Sequence, residues 1–123
     1  YDNNLPRQHH VSKYASVGEG TVILHHSVVN AGAQIGCGCI INTLADIEHD
    51  AVVGDYCHIS TGAMVNGDCK VGARTFLGSR SVIINGISIA EDCVVAAGSL
   101  VRKNIVEKGI YSGSPAILMK KLE

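Results

Sequence analysis

Large aromatic side chains are scarce in this chain of 123 residues. It has no Trp and one Phe, and aromatic residues make up 4% of it while hydrophobic residues make up 46%. A core with so few rings must be narrow, because aliphatic and small side chains have to fill it. Proline is also rare, with 2 residues against 14 glycines. That imbalance predicts many turns with backbone angles that glycine adopts readily.

An excess of charge of one sign and long apolar runs are missing too. The net charge of -1 and the pI of about 6.6 offer no electrostatic basis for binding nucleic acid. No apolar run approaches the roughly 20 residues that cross a bilayer, and no leader-like segment is found. The five cysteines are odd in number and lack paired metal-type spacing. These absences predict no nucleic-acid partner, no membrane segment and a cytoplasmic protein with reduced thiols.

A strict six-residue repeat organises most of the chain. Every sixth residue from Val11 to Val101 is Val, Ile or Leu, which makes sixteen aliphatic positions in succession. The fifth position of each hexad is Ala, Ser, Thr or Cys in fourteen of the sixteen hexads. Four cysteines occupy such positions and are predicted to be small buried residues, whereas Cys37 at a third position is predicted to be exposed. The four are Cys39, Cys57, Cys69 and Cys93.

The six-residue period selects one fold. A helix with 3.6 residues per turn cannot keep such a stripe on one side, and the loops of an ordinary meander vary in length. A short strand followed by a corner, three times per coil, does keep it there. The pattern therefore predicts an all-β fold, the left-handed parallel β-helix, which is a hexapeptide-repeat solenoid of about five coils.

The repeat also divides the chain. Residues 1–10 have no period and are predicted to be a lead-in, and residues 11–106 form the solenoid. Residues 107–123 break the period and are predicted to cap the last coil and protect its open edge. In that cap we predict a short strand, a turn at 113–115 and a short helix from Ala116.

His49 and Asp50 are the first candidates for chemistry. They occupy the third and fourth positions of a hexad, which places both at a corner and facing outward. A neutral imidazole suits the removal of a proton during acyl transfer, and a carboxylate on its other ring nitrogen fixes the tautomer. Exposed His-Asp pairs are common, so the spacing alone leaves open whether this pair is catalytic or idle.

His58 is the next candidate, at a sixth position and facing outward. It follows His49 by nine residues in the same coil and is predicted on a different corner of the triangle. One side spans six residues at roughly 3.3 Å each, so the two imidazoles are too far apart to share a site within one chain. We predict that they share a site only where parallel chains pack as a homotrimer.

Metal binding is an alternative role for the histidines of the repeat. Zinc needs three or four converging ligands, which a trimer interface could supply, as it does in carbonic-anhydrase relatives on this fold. The register that such a site needs is not found in this sequence, so we predict no metal and keep a metal-dependent hydratase as one alternative. A non-catalytic trimerising solenoid is another. The role of His25 and His26 stays open.

Two segments resemble one group of enzymes. Residues 41–43, with the letters I-N-T, and residues 47–60, IEHDAVVGDYCHIS, resemble the left-handed β-helix sugar acetyltransferases of the sialic-acid O-acetyltransferase and bacillosamine-pathway N-acetyltransferase group. In that group an N-T segment precedes I-E-H-[DE] and a second His. The tail from Gly109 through Pro115 and Ala116 is similar to the G-x-P-A ending of the group.

The resemblance implies a homotrimer that uses acetyl-CoA to acetylate an amine or hydroxyl of a sugar, which is nucleotide-linked in the group. It implies that His49 is the general base and that Asp50 orients it. It also implies that Asn42 and Gly67 bind acetyl-CoA and that His58 contacts the substrate. A glycine at the matching position lies against the cofactor, where its N–H can face the thioester oxygen.

The front of the chain departs from the group. Its members usually carry an N-terminal Rossmann-like domain that binds the nucleotide of the substrate, and no glycine-rich fingerprint of such a domain is found here. Either the chain is a catalytic fragment or its acceptor is held in another way. The sequence leaves open the identity of the acceptor and the choice between N- and O-acetylation.

Overall fold

Residues 9–123 are described by the structure, a computed structural model of the chain. Over this range the chain forms sixteen strands of two residues and then two longer strands. The short strands are β1 His10–Val11, β2 Ser16–Val17, β3 Val22–Ile23, β4 Val28–Val29, β5 Gln34–Ile35, β6 Ile40–Ile41, β7 Asp46–Ile47, β8 Val52–Val53, β9 His58–Ile59, β10 Met64–Val65, β11 Lys70–Val71, β12 Phe76–Leu77, β13 Val82–Ile83, β14 Ser88–Ile89, β15 Val94–Val95 and β16 Leu100–Val101. The longer ones are β17 Gly109–Gly113 and β18 Ala116–Lys121.

The short strands form three parallel sheets, one for each side of a solenoid. Sheet A contains β1, β4, β7, β10, β13 and β16, sheet B contains β2, β5, β8, β11 and β14, and sheet C contains β3, β6, β9, β12 and β15 followed by β17 and β18. Repeat strands paired within a sheet are eighteen residues apart, so that Asp46 pairs with Val28 on one side and Met64 on the other. The predicted parallel β-helix with three strands per coil is confirmed, and its sense of winding stays a prediction.

The core lies on the axis of the solenoid, where the first and fifth positions of the hexads meet. Every first-position aliphatic from Ile23 to Val101 is buried, and so is every fifth-position residue from Thr21 to Ile105. In each short strand an outward-facing sixth-position residue is followed by an inward-facing first-position residue, as the two-residue period of a strand requires. The inward orientation predicted from the repeat is therefore confirmed.

Several fifth-position residues also form hydrogen bonds, in addition to being small. Hydroxyl and thiol groups there donate to the carbonyl fifteen residues later, at the following turn of the same corner. Thr21 Oγ1 lies 2.7 Å from the Gly36 carbonyl oxygen, and Cys57 Sγ lies 3.1 Å from that of Gly72. The same bond is made by Ser27, Cys39, Cys69 and Thr75. The four fifth-position cysteines are buried and Cys37 is exposed, as predicted.

The fourth position of the hexad turns the corner in a left-handed backbone conformation. Besides several glycines, eight other residues have a positive φ between 55° and 63°, and all eight are fourth positions. Asp tolerates this conformation better than most residues because its short side chain can hydrogen-bond locally. The eight are His26, Leu44, Asp50, Tyr56, Asp68, Arg74, Arg80 and Asp92.

The C-terminal cap is a hairpin. Strand β17 extends sheet C parallel to β15, and β18 pairs with β17 in the antiparallel direction across a turn at Ser114 and Pro115. The strand and the turn predicted for the cap are confirmed, but the helix predicted from Ala116 is wrong. Ile117 and Met119 are exposed while Leu118 is half-buried, which is the period of an edge strand. Pairing satisfies the free edge of β17, which a helix would leave open.

The predicted lead-in 1–10 is described only in part. Residues 1–8 lie outside the described residues, and His10 already belongs to β1. No helix in the described part of the chain is long and apolar enough to cross a bilayer.

Candidate active site

The first cluster of candidate residues lies at the corner between sheets A and B. His49 and Asp50 follow β7 and precede β8. Nδ1 of His49 lies 3.4 Å from Oδ2 of Asp50, and the two side chains are 56% and 62% exposed. This distance is longer than the 2.7–2.9 Å of a strong charge-assisted bond. The predicted pair is thus brought together in a loose, solvent-accessible contact.

Gly67 is the second member of this cluster. It is buried one coil beyond His49, and a Cβ on Gly67 would collide with Nε2 and Cε1 of the His49 ring. The imidazole therefore lies flat against the bare Cα of Gly67. Nδ1 of the ring faces Asp50, and the absence of a side chain on Gly67 leaves space beside Nε2.

Asp68 joins the cluster, and the sequence analysis missed it. Its N–H donates to the carbonyl oxygen of His49 at 3.0 Å. One ligand atom each from His49, Asp50 and Asp68 lie within 4.8 Å of one another, and all three residues are exposed. The signal that could have revealed Asp68 is its place eighteen residues after Asp50, which stacks the two carboxylates on consecutive coils.

His58 and Asn42 form a separate cluster on sheet C. Nε2 of His58 lies 3.2 Å from Nδ2 of Asn42, and Oδ1 of Asn42 accepts the N–H of Thr43 at 2.7 Å. The bond to Thr43 orients the amide so that its NH₂ group donates to Nε2. The proton of a neutral His58 is therefore on Nδ1. Phe76 supports the ring, with centroids 5.1 Å apart.

The structure corrects one expectation about this second cluster. His58 lies in β9, on the side of the solenoid formed by sheet C, and not on a corner, because a sixth-position residue is part of a strand. The side chain of Asn42 bonds to His58, and its predicted contact with acetyl-CoA stays a prediction. Within one chain the candidate residues thus form two groups, one around His49 and one around His58.

An acidic pair lies beside the His49 corner on the outer side of sheet A. Burial, a hydrogen bond to Glu48 and the negative charge of Glu48 together raise the pKa of the Asp46 carboxyl to about 7. Glu48 Oε2 also accepts a hydrogen bond of 2.9 Å from Asn30 Nδ2. Oδ1 of Asp46 is buried and has no hydrogen-bond partner among residues 9–123. Below about pH 7 the Asp46 carboxyl therefore holds a proton.

The outward-facing strand residues differ between the three sheets. On sheet B they are mostly polar, namely Ser16, Gln34, Val52, Lys70 and Ser88. On sheets A and C they are mostly apolar, namely Val28, Met64, Val82 and Leu100 on sheet A and Val22, Ile40, Phe76 and Val94 on sheet C. Leu44, at the corner between these two sheets, is exposed as well. Mostly apolar surface on two adjoining sides is typical of a contact surface.

A shallow groove of about 460 Å³ runs along sheet B and the corner that follows it. It is lined by Ser16, Gln34, Ile35, Gly36, Val52, Val53, Gly54, Asp55, Gly72, Ala73 and Glu91. Neither His49 nor His58 lines it, so the groove is a separate feature from both candidate clusters.

Family matches cover much of the solenoid. The bacterial transferase hexapeptide family (six repeats) matches residues 32–67, and the hexapeptide repeat of succinyl-transferase matches residues 69–103. The first match contains both His49 and Gly67. The chain thus carries hexapeptide repeats like those of these transferase families.

Solved structures superimpose on this hexapeptide-repeat chain over most of its length. The acetyltransferase domain of PglB from Neisseria gonorrhoeae does so with a TM-score of 0.88 at 28% identity, over 89% of this chain and 54% of that one, and has also been solved with acetyl coenzyme A. PerB from Caulobacter crescentus, in complex with CoA and GDP-perosamine, has a TM-score of 0.87 at 34% identity, over 89% of this chain and 53% of that one. The predicted resemblance to sugar acetyltransferases is confirmed. The chain spans about half the length of these relatives.

Proposed function

We propose that this chain is an acetyltransferase domain that transfers the acetyl group of acetyl-CoA to an amine or hydroxyl of a nucleotide-linked sugar. One observation carries the proposal. The exposed His49 imidazole, beside Asp50 and against Gly67, belongs to a solenoid that superimposes on sugar acetyltransferases solved with CoA or acetyl-CoA. The Caulobacter relative is a perosamine N-acetyltransferase, so we favour an amine as the acceptor group.

In this reaction His49 acts as the general base. A bond forms from the acceptor nitrogen or oxygen to the acetyl carbon, and the carbon–sulfur bond to CoA breaks. His49 accepts at Nε2 the proton that the acceptor loses, and the imidazolium returns it to the departing sulfur. Asp50, on the Nδ1 side, holds the tautomer that leaves Nε2 free to accept. The exposure of the ring allows both substrates to reach it.

The remaining predicted residues take supporting roles in this proposal. Gly67 leaves room beside Nε2 for the acetyl group of acetyl-CoA, and Asn42 contributes to the same co-substrate site from another chain. His58, held by Asn42 and Phe76, faces the sugar. These assignments rest on the resemblance and on the two clusters described above.

A homotrimer would bring the two clusters together. If sheet A of one chain packs on sheet C of the next around a three-fold axis, both apolar surfaces are buried and polar sheet B stays in solvent. The His49 corner of one chain then lies close to sheet C of its neighbour, which carries His58 and Asn42. We also place the protein in the cytoplasm, because the buried cysteines donate as thiols, which a reducing compartment preserves.

The test is to replace His49 by Ala and measure acetyl transfer. Purified chain is incubated with acetyl-CoA and a set of nucleotide-linked amino sugars, and products are counted by mass spectrometry. We expect wild-type turnover of at least one acceptor and a loss of about 10²- to 10⁴-fold in His49→Ala. Asn85→Ala, at an exposed third position of the same corner two coils further along, is the matched control and should keep full activity.

Two results would contradict the proposal. Undiminished turnover in His49→Ala would remove His49 from the mechanism, and failure to bind acetyl-CoA in calorimetry would favour a non-catalytic solenoid. Light scattering on both proteins shows whether the assembly is intact. An active monomer would refute the shared site between chains.

A further inference from the structure

Resting on the proposed function, we propose that Asp68 is a positioning residue for His49. Its carboxylate, together with that of Asp50, brackets the imidazole and stabilises the positive charge that His49 gains when it accepts the proton of the acceptor. The base of this chain would then be served by two carboxylates, one from its own corner and one from the next coil.

The backbone holds Asp68 in place. Its N–H bond to the His49 carbonyl oxygen, 3.0 Å long, connects the two corners directly. Asp50 and Asp68 both have the left-handed conformation, with φ of 60° and 59°. Their side chains therefore leave consecutive coils in the same direction, and their oxygens lie within 4.8 Å of each other and of a His49 ring nitrogen.

The charged groups closest to His49 are carboxylates, which favour a positive charge on its ring. Among the described residues, the only ion-pair partner of Asp50 is His49, and no lysine or arginine side-chain nitrogen lies within 4 Å of a carboxylate oxygen of Asp50 or Asp68. Glu48, on the same corner, is bonded to Asn30. Two carboxylates without a cation attract the imidazolium more than the neutral ring.

A purely conformational role is the competing explanation for Asp68. Asp is tolerated in the left-handed conformation, and the residues in the same place one coil before Asp50 and one coil after Asp68 are Gly32 and Gly86, which also have positive φ. Under that explanation Asn would replace Asp68 without loss, because Asn adopts the same backbone angles. Asp92, a fourth-position Asp with φ of 58° on another corner, provides the matched control.

The experiment compares Asp68→Asn and Asp92→Asn in the assembled protein. We expect kcat to fall about tenfold in Asp68→Asn, with KM for acetyl-CoA changed less than twofold, and to stay unchanged in Asp92→Asn. Asp68→Glu should recover part of kcat. In a His49→Ala background Asp68→Asn should have no further effect, because Asp68 acts through the ring.

A second readout does not require turnover. Diethyl pyrocarbonate modifies neutral imidazole, so its rate at His49, followed by peptide mass spectrometry at pH 6.5, should rise about two- to threefold in Asp68→Asn and stay unchanged in Asp92→Asn. His49 could be labelled faster in Asp68→Asn while the wild type transfers no acetyl group. That result would support the electrostatic link between Asp68 and His49 and refute the proposed function.

Three outcomes would overturn the role of Asp68. The first is a kcat for Asp68→Asn equal to that of Asp92→Asn, and the second is an unchanged labelling rate at His49. The third is wild-type turnover that a chelator abolishes and Zn²⁺ alone restores, since that would assign the three side chains to a metal ion.

Discussion

The position of the His49 ring depends on the absence of a Cβ at Gly67. Gly67 is the residue against which the imidazole lies, and a Cβ there would take the space beside Nε2. Asp50 and Asp68 approach the ring with their carboxylates. A side chain at the third position one coil further along is thus incompatible with this orientation of the base, although many hexads carry one.

Gly67→Ala tests this contact. Gly67 does not have a positive φ, so Ala fits the backbone and the coil should stay folded. The methyl group has to displace the ring, and a shift of about 1 Å at a catalytic group costs about 10²-fold in rate. We expect a loss of that size in kcat with an unchanged melting temperature.

The control for this variant is Asn85→Ala, at the third position one coil further along. Asn85 is exposed, and its replacement should leave turnover unchanged. Wild-type kcat in Gly67→Ala would show that the ring is not required against Gly67.

The strands differ in the side chains at their outward-facing positions. Strand β7 places an acid, Asp46, in a row of sheet A that is otherwise apolar between Val28 and Leu100. Its neighbours in the sheet, Val28 and Met64, offer no hydrogen bond to the carboxyl. The strand tolerates Asp46 because the carboxyl can hold a proton and bond to Glu48, which makes this element sensitive to pH.

Asp46→Asn should remove that sensitivity. The folded-state pKa of about 7 lies above the ordinary value near 4, so the favourable contribution of Asp46 is present below pH 4 and is lost as the pH rises through 7. Asn mimics the protonated carboxyl. We expect Asp46→Asn to gain about 1 kcal/mol over wild type between pH 5 and pH 8, measured by urea unfolding at fixed protein concentration.

Asp92→Asn should behave in the opposite way. A hydrogen bond from Arg74 lowers the pKa of the Asp92 carboxyl, so its contribution is present above the ordinary pKa and its loss should destabilise the protein at pH 8. Equal pH profiles for wild type and Asp46→Asn would contradict the raised pKa of Asp46.

The whole molecule is a thin solenoid with two apolar sides and one polar side. Ile40 is 39% exposed on sheet C and Met64 is 38% exposed on sheet A. The core on the axis is narrow, since fifth positions are small. Burial between chains would therefore add apolar contact that a single chain of this shape cannot provide.

Ile40→Glu tests the interface. A charge in the apolar row of sheet C should prevent packing against sheet A of a neighbour, because an unpaired charge is costly to bury. Light scattering should give about three times the chain mass of 12.9 kDa for wild type and a single chain mass for the variant, with at least tenfold less turnover. Ser88→Glu, on sheet B, should stay assembled, and a monomeric wild type would contradict the interface.

The six-residue repeat was sufficient to predict the coil and the inward rows, because each hexad repeats the same local requirement for an aliphatic and a small residue. The cap shows where this stops. The local preferences of residues 116–121, A-I-L-M-K-K, do not distinguish a helix from a strand. Pairing with the free edge of β17 makes this segment strand β18.

The sequence by itself determined the solenoid, the corner that carries His49 and Asp50, the outward direction of His58 and the burial of four cysteines. Only the tertiary structure decided that Gly67 and Asp68 reach the His49 ring, that Asn42 binds His58, and that Asp46 keeps a buried oxygen without a partner. The physical reason is the stacking of coils. A repeat shows which way each side chain points, whereas contacts between residues sixteen to nineteen apart depend on side-chain rotamers and on the left-handed corner residues that orient them.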